Sequence, residues 1–331
     1  MAAVAFAALA APLGAQARRI SVRWATADVG SYGYAVASAM VDVLNRELPG
    51  EYVVTVHPYP STTAAMKAVM NGEGEISYAA DVGMRQLYDR SGPFADFRPR
   101  VASLVHAFYA YPMESFMTVY RPLAGRYRSW ADLSGAPVFF TPAGYMNWIN
   151  FSRIFAALGY RFNHVEIDSA TTADAMKAGT IVGAGAYTTA GVSLPTWWRE
   201  AELKVEFSIL NPTPQERQKL VESSLAPVRL DPKRIFRQDV GADEIWAVPI
   251  YFAYNVRSDL TEDLVYQMLT IFERNVGDLV RFDRGFGPLA ENFVGLQVGG
   301  IRANPDIPVH PGLARFLKER GAWDPSWKEA R

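Results

Sequence analysis

The chain has 331 residues, enough for one large or two medium domains with well-formed hydrophobic cores. Lys and Arg number 33 and Asp and Glu number 34, so the near-zero net charge implies no extended basic surface, and we expect no nucleic-acid partner. The absence of cysteine excludes thiol catalysis, disulfides and thiolate metal sites.

Residues 1–17 form an apolar, alanine-rich run that ends in Ala15-Gln16-Ala17, the small-residue pattern found before a signal-peptidase cut. This run predicts a partial secretory signal cleaved before Arg18, without the charged segment that usually opens such a signal. A short buried helix is the alternative interpretation. No other stretch reaches the roughly 20 apolar residues of a membrane span, so we expect a soluble, exported protein in a bacterial periplasm.

Strands and helices alternate through the first eighty residues. The segments 20–25, 52–59 and 75–80 are predicted strands, and the two stretches between them carry apolar residues at helical spacing. Because strands separated by helices pair in parallel, this β-α-β-α-β order predicts a parallel sheet.

A similar alternation returns in the middle of the chain. Segments 137–141, 164–167 and 180–187 are predicted strands, separated by helices that include 172–177. Two long apolar runs, Val101–Tyr120 and Ile245–Ser258, bracket this second unit and predict crossover strands between two lobes. We expect residues 18–115 with 252–331 in the first lobe and 116–251 in the second, with a cleft between them.

The motifs of common enzymes are missing. No Gly-Lys pair exists for a phosphate-binding loop, no Gly-x-Ser-x-Gly elbow or His-Glu-x-x-His helix occurs, and the four histidines lack metal-ligand spacing. We therefore expect a protein that is not an enzyme and has no cofactor and no metal. Carboxylate pairs from distant segments remain open, and Asp28 and Asp81 are the candidates for a general acid or base.

Turns that lead from a predicted strand into a helix carry small, hydroxylated or polar residues instead. Backbone N–H groups at helix starts, helped by hydroxyl and amide donors, bind carboxylates, although ordinary helix capping is the alternative for any single turn. The turn at Gly144 is the favoured anion site. The candidate ligand-binding residues are Asp28, Gly30, Ser31, Tyr32, Thr62, Thr63, Asp81, Thr141, Gly144, Tyr145, Met146, Asn147, Tyr187 and Thr188.

The order of motifs resembles the TAXI-type solute-binding proteins of tripartite ATP-independent periplasmic (TRAP) transporters. The most specific matches are "AVPIYFAYNVRSDLTEDLVYQML" and "IPVHPGLARFLKERG", and "YRSWADLSGAPVFFTPAG" and "DAMKAGTIVGAGAY" match further family segments. This resemblance covers essentially all of Ile20–Asp324. It implies an α/β fold of two doubly wound lobes, like that of type II periplasmic binding proteins, with a ligand cleft between them.

The resemblance also implies a function. Such proteins bind a small organic acid, a carboxylate or an amino acid, and deliver it to a TRAP-type membrane permease; we expect a monomer. Where the family has Gly-Ser-Gly-Thr, this chain has Gly144-Tyr145-Met146-Asn147. We expect the larger side chains of Tyr145 and Met146 to change the shape of the ligand pocket. Two rival hypotheses stay open: a lyase or transferase on the same scaffold, and a ligand sensor that docks on a membrane kinase.

Overall fold

The computed structural model describes residues 19–331, so the predicted signal segment lies outside the described residues. The strands are β1 (Ile20–Thr26), β2 (Tyr52–Pro58), β3 (Ile76–Ala80), β4 (Leu104–Val105), β5 (Tyr109–Tyr120), β6 (Val138–Phe139), β7 (Gly183–Thr189), β8 (Phe207–Leu210), β9 (Val228–Leu230) and β10 (Ile245–Arg257). The helices are α1 (Tyr32–Glu47), α2 (Thr62–Met70), α3 (Asp81–Tyr88), α4 (Met146–Leu158), α5 (Thr172–Lys177), α6 (Thr196–Lys204), α7 (Pro214–Glu222), α8 (Glu262–Arg274), α9 (Val276–Phe282), α10 (Gly287–Ala303) and α11 (Pro311–Glu319). Over residues 19–331, no helix has the length and apolarity needed to cross a membrane.

The first lobe is built on β1, β2 and β3. Strand β1 lies between the other two and pairs with both in parallel, from Ile20 opposite Tyr52 through Thr26 opposite Pro58. This confirms the parallel pairing predicted from the alternation of strands and helices. Because parallel strands share one direction, the loops that follow β1 and β3 leave the sheet at the same edge.

The two long strands β5 and β10 join the lobes, as the two apolar runs predict. Strand β10 pairs antiparallel with β3 on one side and with β5 on the other, and β5 continues to β7 of the second lobe. The sheet is therefore continuous, in the order β2-β1-β3-β10-β5-β7-β6. The residue boundaries of the two lobes stay a prediction.

Within residues 19–331, three buried clusters form the hydrophobic core. One surrounds the strands of the first lobe and contains Trp24, Tyr254 and Phe272. The other two lie on opposite faces of the second lobe's sheet, since the neighbouring residues Phe116 and Met117 of β5 belong to different clusters. This alternation is the period of two expected for a strand buried on both faces.

Helix α4 contacts the core of the other lobe. Its first-turn residue Met146 is buried in the first lobe's cluster, and a Cβ added to Gly83 of α3 would lie 2.8 Å from the Met146 sulfur. Glycine at position 83 therefore permits the close approach of α3 and α4. The two lobes pack directly against each other at this point.

Local capping fixes the starts of several helices. At α7 the Thr213 hydroxyl accepts a hydrogen bond from the Glu216 N–H, and the Glu216 carboxylate accepts one from the Thr213 N–H. This reciprocal pair of hydrogen bonds is a capping box. Pro311 opens α11, and α5 spans the predicted residues 172–177.

The predicted strand over 164–167 is wrong. His164 makes only an isolated bridge to Val138, and residues 165–168 have no regular structure. Because its partner β6 is two residues long, this segment has too little strand edge to form a ladder. The chain turns instead at Asp168, whose carboxylate accepts a hydrogen bond from the Ala170 N–H.

Candidate functional site

A cavity of about 650 Å³ opens between the two lobes. The first lobe supplies the loop between β1 and α1, and the second supplies the loop between β6 and α4, the segment 166–170, the strand β7 and the helix α6. The lining residues are Asp28, Gly30, Ser31, Thr141, Pro142, Tyr145, Glu166, Ile167, Asp168, Ser169, Ala170, Tyr187 and Trp197. Such an inter-lobe cavity is the position expected for a ligand in an α/β fold.

A hydrogen bond crosses the mouth of this cavity. The Tyr145 hydroxyl of the second lobe donates to the Asp28 carboxylate of the first lobe. Partial burial, and after it the neighbouring Asp28 carboxylate, raise the pKa of Tyr145, so its hydroxyl stays protonated and remains a donor. This bond therefore links the residue before α4 to the loop between β1 and α1.

The start of α2 makes a second contact between the lobes. The Gly144 carbonyl accepts hydrogen bonds from the Thr63 N–H at 3.2 Å and from the Thr63 hydroxyl at 2.8 Å. The Ser61 hydroxyl accepts from the Ala64 N–H at 3.2 Å. A carbonyl of the second lobe thus occupies the position at α2 that we predicted for a ligand anion.

The start of α4 is anchored to the sheet through Asn147. The buried side chain of Asn147 donates to the Gly185 carbonyl at 3.1 Å and accepts from the Ser115 hydroxyl at 2.7 Å. Both ends of the amide therefore have protein partners, and the side chain fixes α4 against β5 and β7.

The structure brings six of the predicted residues to the large cavity: Asp28, Gly30, Ser31, Thr141, Tyr145 and Tyr187. Four others line a void of about 20 Å³ that Ser31, Tyr145 and Tyr187 also line: Tyr32, Thr62, Met146 and Asn147. This volume fits about one water molecule. The remaining four, Thr63, Asp81, Gly144 and Thr188, line neither space. A ligand-binding role for all fourteen stays a prediction.

Two of these four have other contacts. The Asp81 carboxylate accepts hydrogen bonds from the N–H groups of Val82 and Tyr251, and burial, opposed by the Arg153 charge, raises the pKa of Asp81 to about 6. The Thr188 hydroxyl donates to the buried Glu114 carboxylate at 2.7 Å. Both residues therefore contact β5 or β10, the strands that join the lobes.

About half of the cavity wall was not predicted from the sequence. Pro142, Glu166, Ile167, Asp168, Ser169, Ala170 and Trp197 line it, and none was a candidate. A usable signal existed, because Glu166 lies near the carboxyl end of the segment predicted as a strand at 164–167, and Asp168 follows it directly. The rule that selected the other strand-to-helix turns would have selected these residues as well.

The charged side chains that line the cavity are all acidic. Asp28, Glu166 and Asp168 contribute three carboxyl groups, and none of the described residues that line the cavity is Lys, Arg or His. Glu166 accepts hydrogen bonds from His164 Nε2 at 2.7 Å and from the Ala143 N–H at 3.1 Å. Within residues 19–331, no group of three His, Asp or Glu side chains is arranged to hold a metal ion.

Thr141 stands out among the neutral wall residues. It is 2% exposed, and its hydroxyl has no hydrogen-bond partner among the described residues. Its φ of 76° lies in the left-handed region, which a β-branched residue rarely adopts. A buried hydroxyl without a partner costs free energy, which a bound molecule with a polar atom in reach would recover.

Solved structures share this architecture at low sequence identity. MatC from Rhodopseudomonas palustris, solved with bound malate, aligns with a TM-score of 0.54 and 9% identity over 81% of this chain and 89% of its own. A protein from Bordetella bronchiseptica RB50 aligns with a TM-score of 0.50 and 12% identity over 94% and 92%. The periplasmic aliphatic sulphonate binding protein SsuA from Escherichia coli gives a TM-score of 0.46 and 14% identity over 90% and 78%.

The fold class is that of the two-lobed periplasmic binding proteins, in which two α/β lobes enclose a cleft. This confirms the predicted fold class. The chain belongs to the NMT1-like family, whose model matches residues 24–321. No curated protein matches this sequence.

Proposed function

We propose that this protein is a periplasmic solute receptor that binds a small organic acid or amino acid between its lobes. The observation that carries the proposal is the cavity, whose wall is shared between the lobes and crossed by the bond from Tyr145 to Asp28. A site divided in this way couples ligand binding to the relative position of the lobes. Its volume of about 650 Å³ is in the range of small-molecule sites.

The receptor role needs no reaction at this site. Two carboxylates were considered as a general acid or base. Asp81 lies outside the cavity, and the Asp28 carboxylate accepts a hydrogen bond from the Tyr145 hydroxyl. The malate bound to MatC is a precedent for a small organic acid on this fold, while the ligand of this chain depends on its own wall residues.

Ligand binding can be tested directly. We expect refolded, ligand-stripped protein to gain thermal stability with at least one member of a panel of organic acids and amino acids, and titration calorimetry to give one site per chain. Trp197→Ala removes an aromatic wall residue and should weaken binding about tenfold or more. Trp246→Ala is the matched control, because Trp246 lies outside the cavity. A panel without any stabilising member would refute the receptor role.

We further propose that the receptor is exported and delivers its solute to a TRAP-type permease. The motif resemblance over Ile20–Asp324 supports this partner, and the run that ends at Ala17 supports export. Uptake assays should show that deleting this gene and deleting an adjacent TRAP-type permease gene abolish uptake of the same solute. A ligand-dependent complex with a membrane histidine kinase would instead favour the sensor hypothesis.

A further inference from the structure

We infer that the solute carries a protonated nitrogen, an ammonium or guanidinium group, bound at the acidic wall formed by Asp28, Glu166 and Asp168. This inference rests on the proposed receptor function and narrows its substrate class, because it favours solutes with an ammonium or guanidinium group, such as amino acids, over organic acids that carry no nitrogen. It concerns a part of the cavity that the sequence analysis did not assign, since Glu166 and Asp168 come from the segment between β6 and α5.

Charge balance is the first argument. The described lining residues bring three carboxyl groups and no cationic side chain, and the imidazole of His164 is already hydrogen-bonded to Glu166 at 2.7 Å, so a dicarboxylate would meet like charges. Binding an organic cation offsets this repulsion instead. The exposed positions of the three carboxyl groups leave the attraction screened by salt, so the affinity should fall as ionic strength rises.

Aromatic rings complete the same wall. Trp197 and Tyr187 line the cavity with ring centroids 6.5 Å apart, and Trp197 packs edge-on against Phe139 at 6.0 Å. Tryptophan faces attract ammonium and guanidinium groups through the ring quadrupole. Because Phe139 supports Trp197 from the core, the indole is held in place at the cavity wall.

Thr141 gives an independent indication that a ligand is expected here. Its hydroxyl lacks a hydrogen-bond partner among the described residues, although the residue is 2% exposed and lines the cavity. A hydroxyl offers both a donor and two lone pairs, so it can accept from an N–H of the ligand. No described triad of carboxyl or imidazole groups is arranged for a metal ion, which favours an organic cation over a bare one.

The test compares pairs of solutes with equal carbon-chain length and opposite net charge. Titration of ligand-stripped full chain with putrescine and with succinate, and then with arginine and with glutarate, should show binding of the cationic member of each pair. We expect affinity for that member to fall as salt is raised from 20 mM to 200 mM, which are concentrations chosen to span about a threefold change in Debye length.

Charge-neutralising variants locate the site. Asp168→Asn keeps a side-chain acceptor for the Ala170 N–H, and Glu166→Gln keeps one for the Ala143 N–H. Each should weaken cation binding about three- to fivefold, the effect of one partly exposed charge pair. Asp231→Asn is the matched control, because Asp231 caps the Lys233 N–H in the same manner and lies outside the cavity.

The outcomes separate the two proposals. Binding of succinate or glutarate, which carry no nitrogen, without binding of putrescine or arginine overturns the cationic substrate class and leaves the receptor function standing. Cation binding that Asp168→Asn and Glu166→Gln affect no more than Asp231→Asn overturns the assignment to this wall. A chain that is folded by circular dichroism and binds no member of the wider panel refutes the receptor function itself.

Discussion

The Tyr145 hydroxyl and the Asp28 carboxylate, 117 positions apart in the chain, form a hydrogen bond between the two lobes. Tyr145 is the N-cap residue of α4, and Asp28 lies in the loop between β1 and α1. Since β5 and β10 carry the sheet from one lobe to the other, contacts at the cleft should influence the relative position of the lobes.

Tyr145→Phe should shift the ligand-free protein towards an open arrangement. The variant removes one hydrogen bond to a charged acceptor, and because Asp28 is exposed and regains water, we expect a cost of about 1 kcal/mol to the closed state. Small-angle X-ray scattering should show a larger radius of gyration. Tyr266→Phe is the control, since the Tyr266 hydroxyl donates to Glu319 within one lobe, and an equal expansion in both variants would contradict the prediction.

Gly144→Ala should weaken the contact between α2 and the second lobe. Gly144 has φ 88°, and an added Cβ would lie 3.0 Å from the Ser61 hydroxyl oxygen. The backbone cost is about 1–2 kcal/mol, and displacement of the Thr63 hydrogen bonds adds to it. Gly159→Ala, with φ 77° and no atom within 4 Å of its added Cβ, carries the backbone cost alone.

Urea unfolding of the Gly144→Ala and Gly159→Ala variants measures this difference. We expect Gly144→Ala to lower the free energy of unfolding more than Gly159→Ala does, and to expand the ligand-free protein in scattering. Equal losses in the two variants, with no expansion, would show that the Gly144 carbonyl contributes nothing to closure.

Glu114 should make stability fall as pH rises from acid to neutral. Burial raises the pKa of Glu114 from 4.5 to about 7, against the opposing hydrogen bonds from Thr188 and Gly191. Between pH 4.5 and about 7, the folded state therefore binds more protons than the unfolded state. The contribution of Glu114 to the free energy of unfolding is fully present below pH 4.5 and is lost as pH rises through 7. The expected loss is roughly 3 kcal/mol.

Glu114→Gln isolates this contribution. Both hydrogen bonds end on Glu114 Oε2, so the amide oxygen of glutamine can accept them without a titrating proton. The difference in unfolding free energy between wild type and variant should change over this pH window. Burial lowers the pKa of His106 to about 4, and its opposite slope is common to both proteins and cancels. A difference independent of pH would contradict the prediction.

Gly183→Ala should destabilise the second lobe. Gly183 lies in β7 opposite Val119, and an added Cβ would contact the Thr118 carbonyl oxygen and the Val119 Cα of β5. Overpacking of this kind costs about 1–3 kcal/mol, because backbone cannot move aside as a flexible side chain can. Thermal unfolding should show a lower midpoint than in Gly125→Ala, whose added Cβ has no atom within 4 Å. Equal midpoints would mean that β7 accommodates the added methyl group without a loss of thermal stability.

The sequence predicted the frame of this fold well. The pattern of apolar residues predicted the strands of the first lobe, the two long strands and the helix at 172–177, because these elements depend on neighbouring residues in the chain. The prediction of a strand at 164–167 was wrong, because a strand also needs a neighbouring strand to pair with, and β6 is only two residues long.

The site was harder to predict. Six of fourteen candidates reached the large cavity, and the turn at Gly144 turned out to contact α2 through its carbonyl. The free N–H groups at a helix start can bind either a ligand or a neighbouring loop, and the local sequence does not determine which of the two binds there.

The sequence by itself determined the order of strands and helices, the parallel pairing of the first lobe and the absence of cysteine chemistry, since these follow from local pattern and composition. Only the tertiary structure decided that Asp28 meets Tyr145, that Glu166 and Asp168 face the cleft, and that Glu114 is buried beside Thr188. Those relationships join segments that are distant in the chain, and packing of the lobes, not local propensity, brings them together.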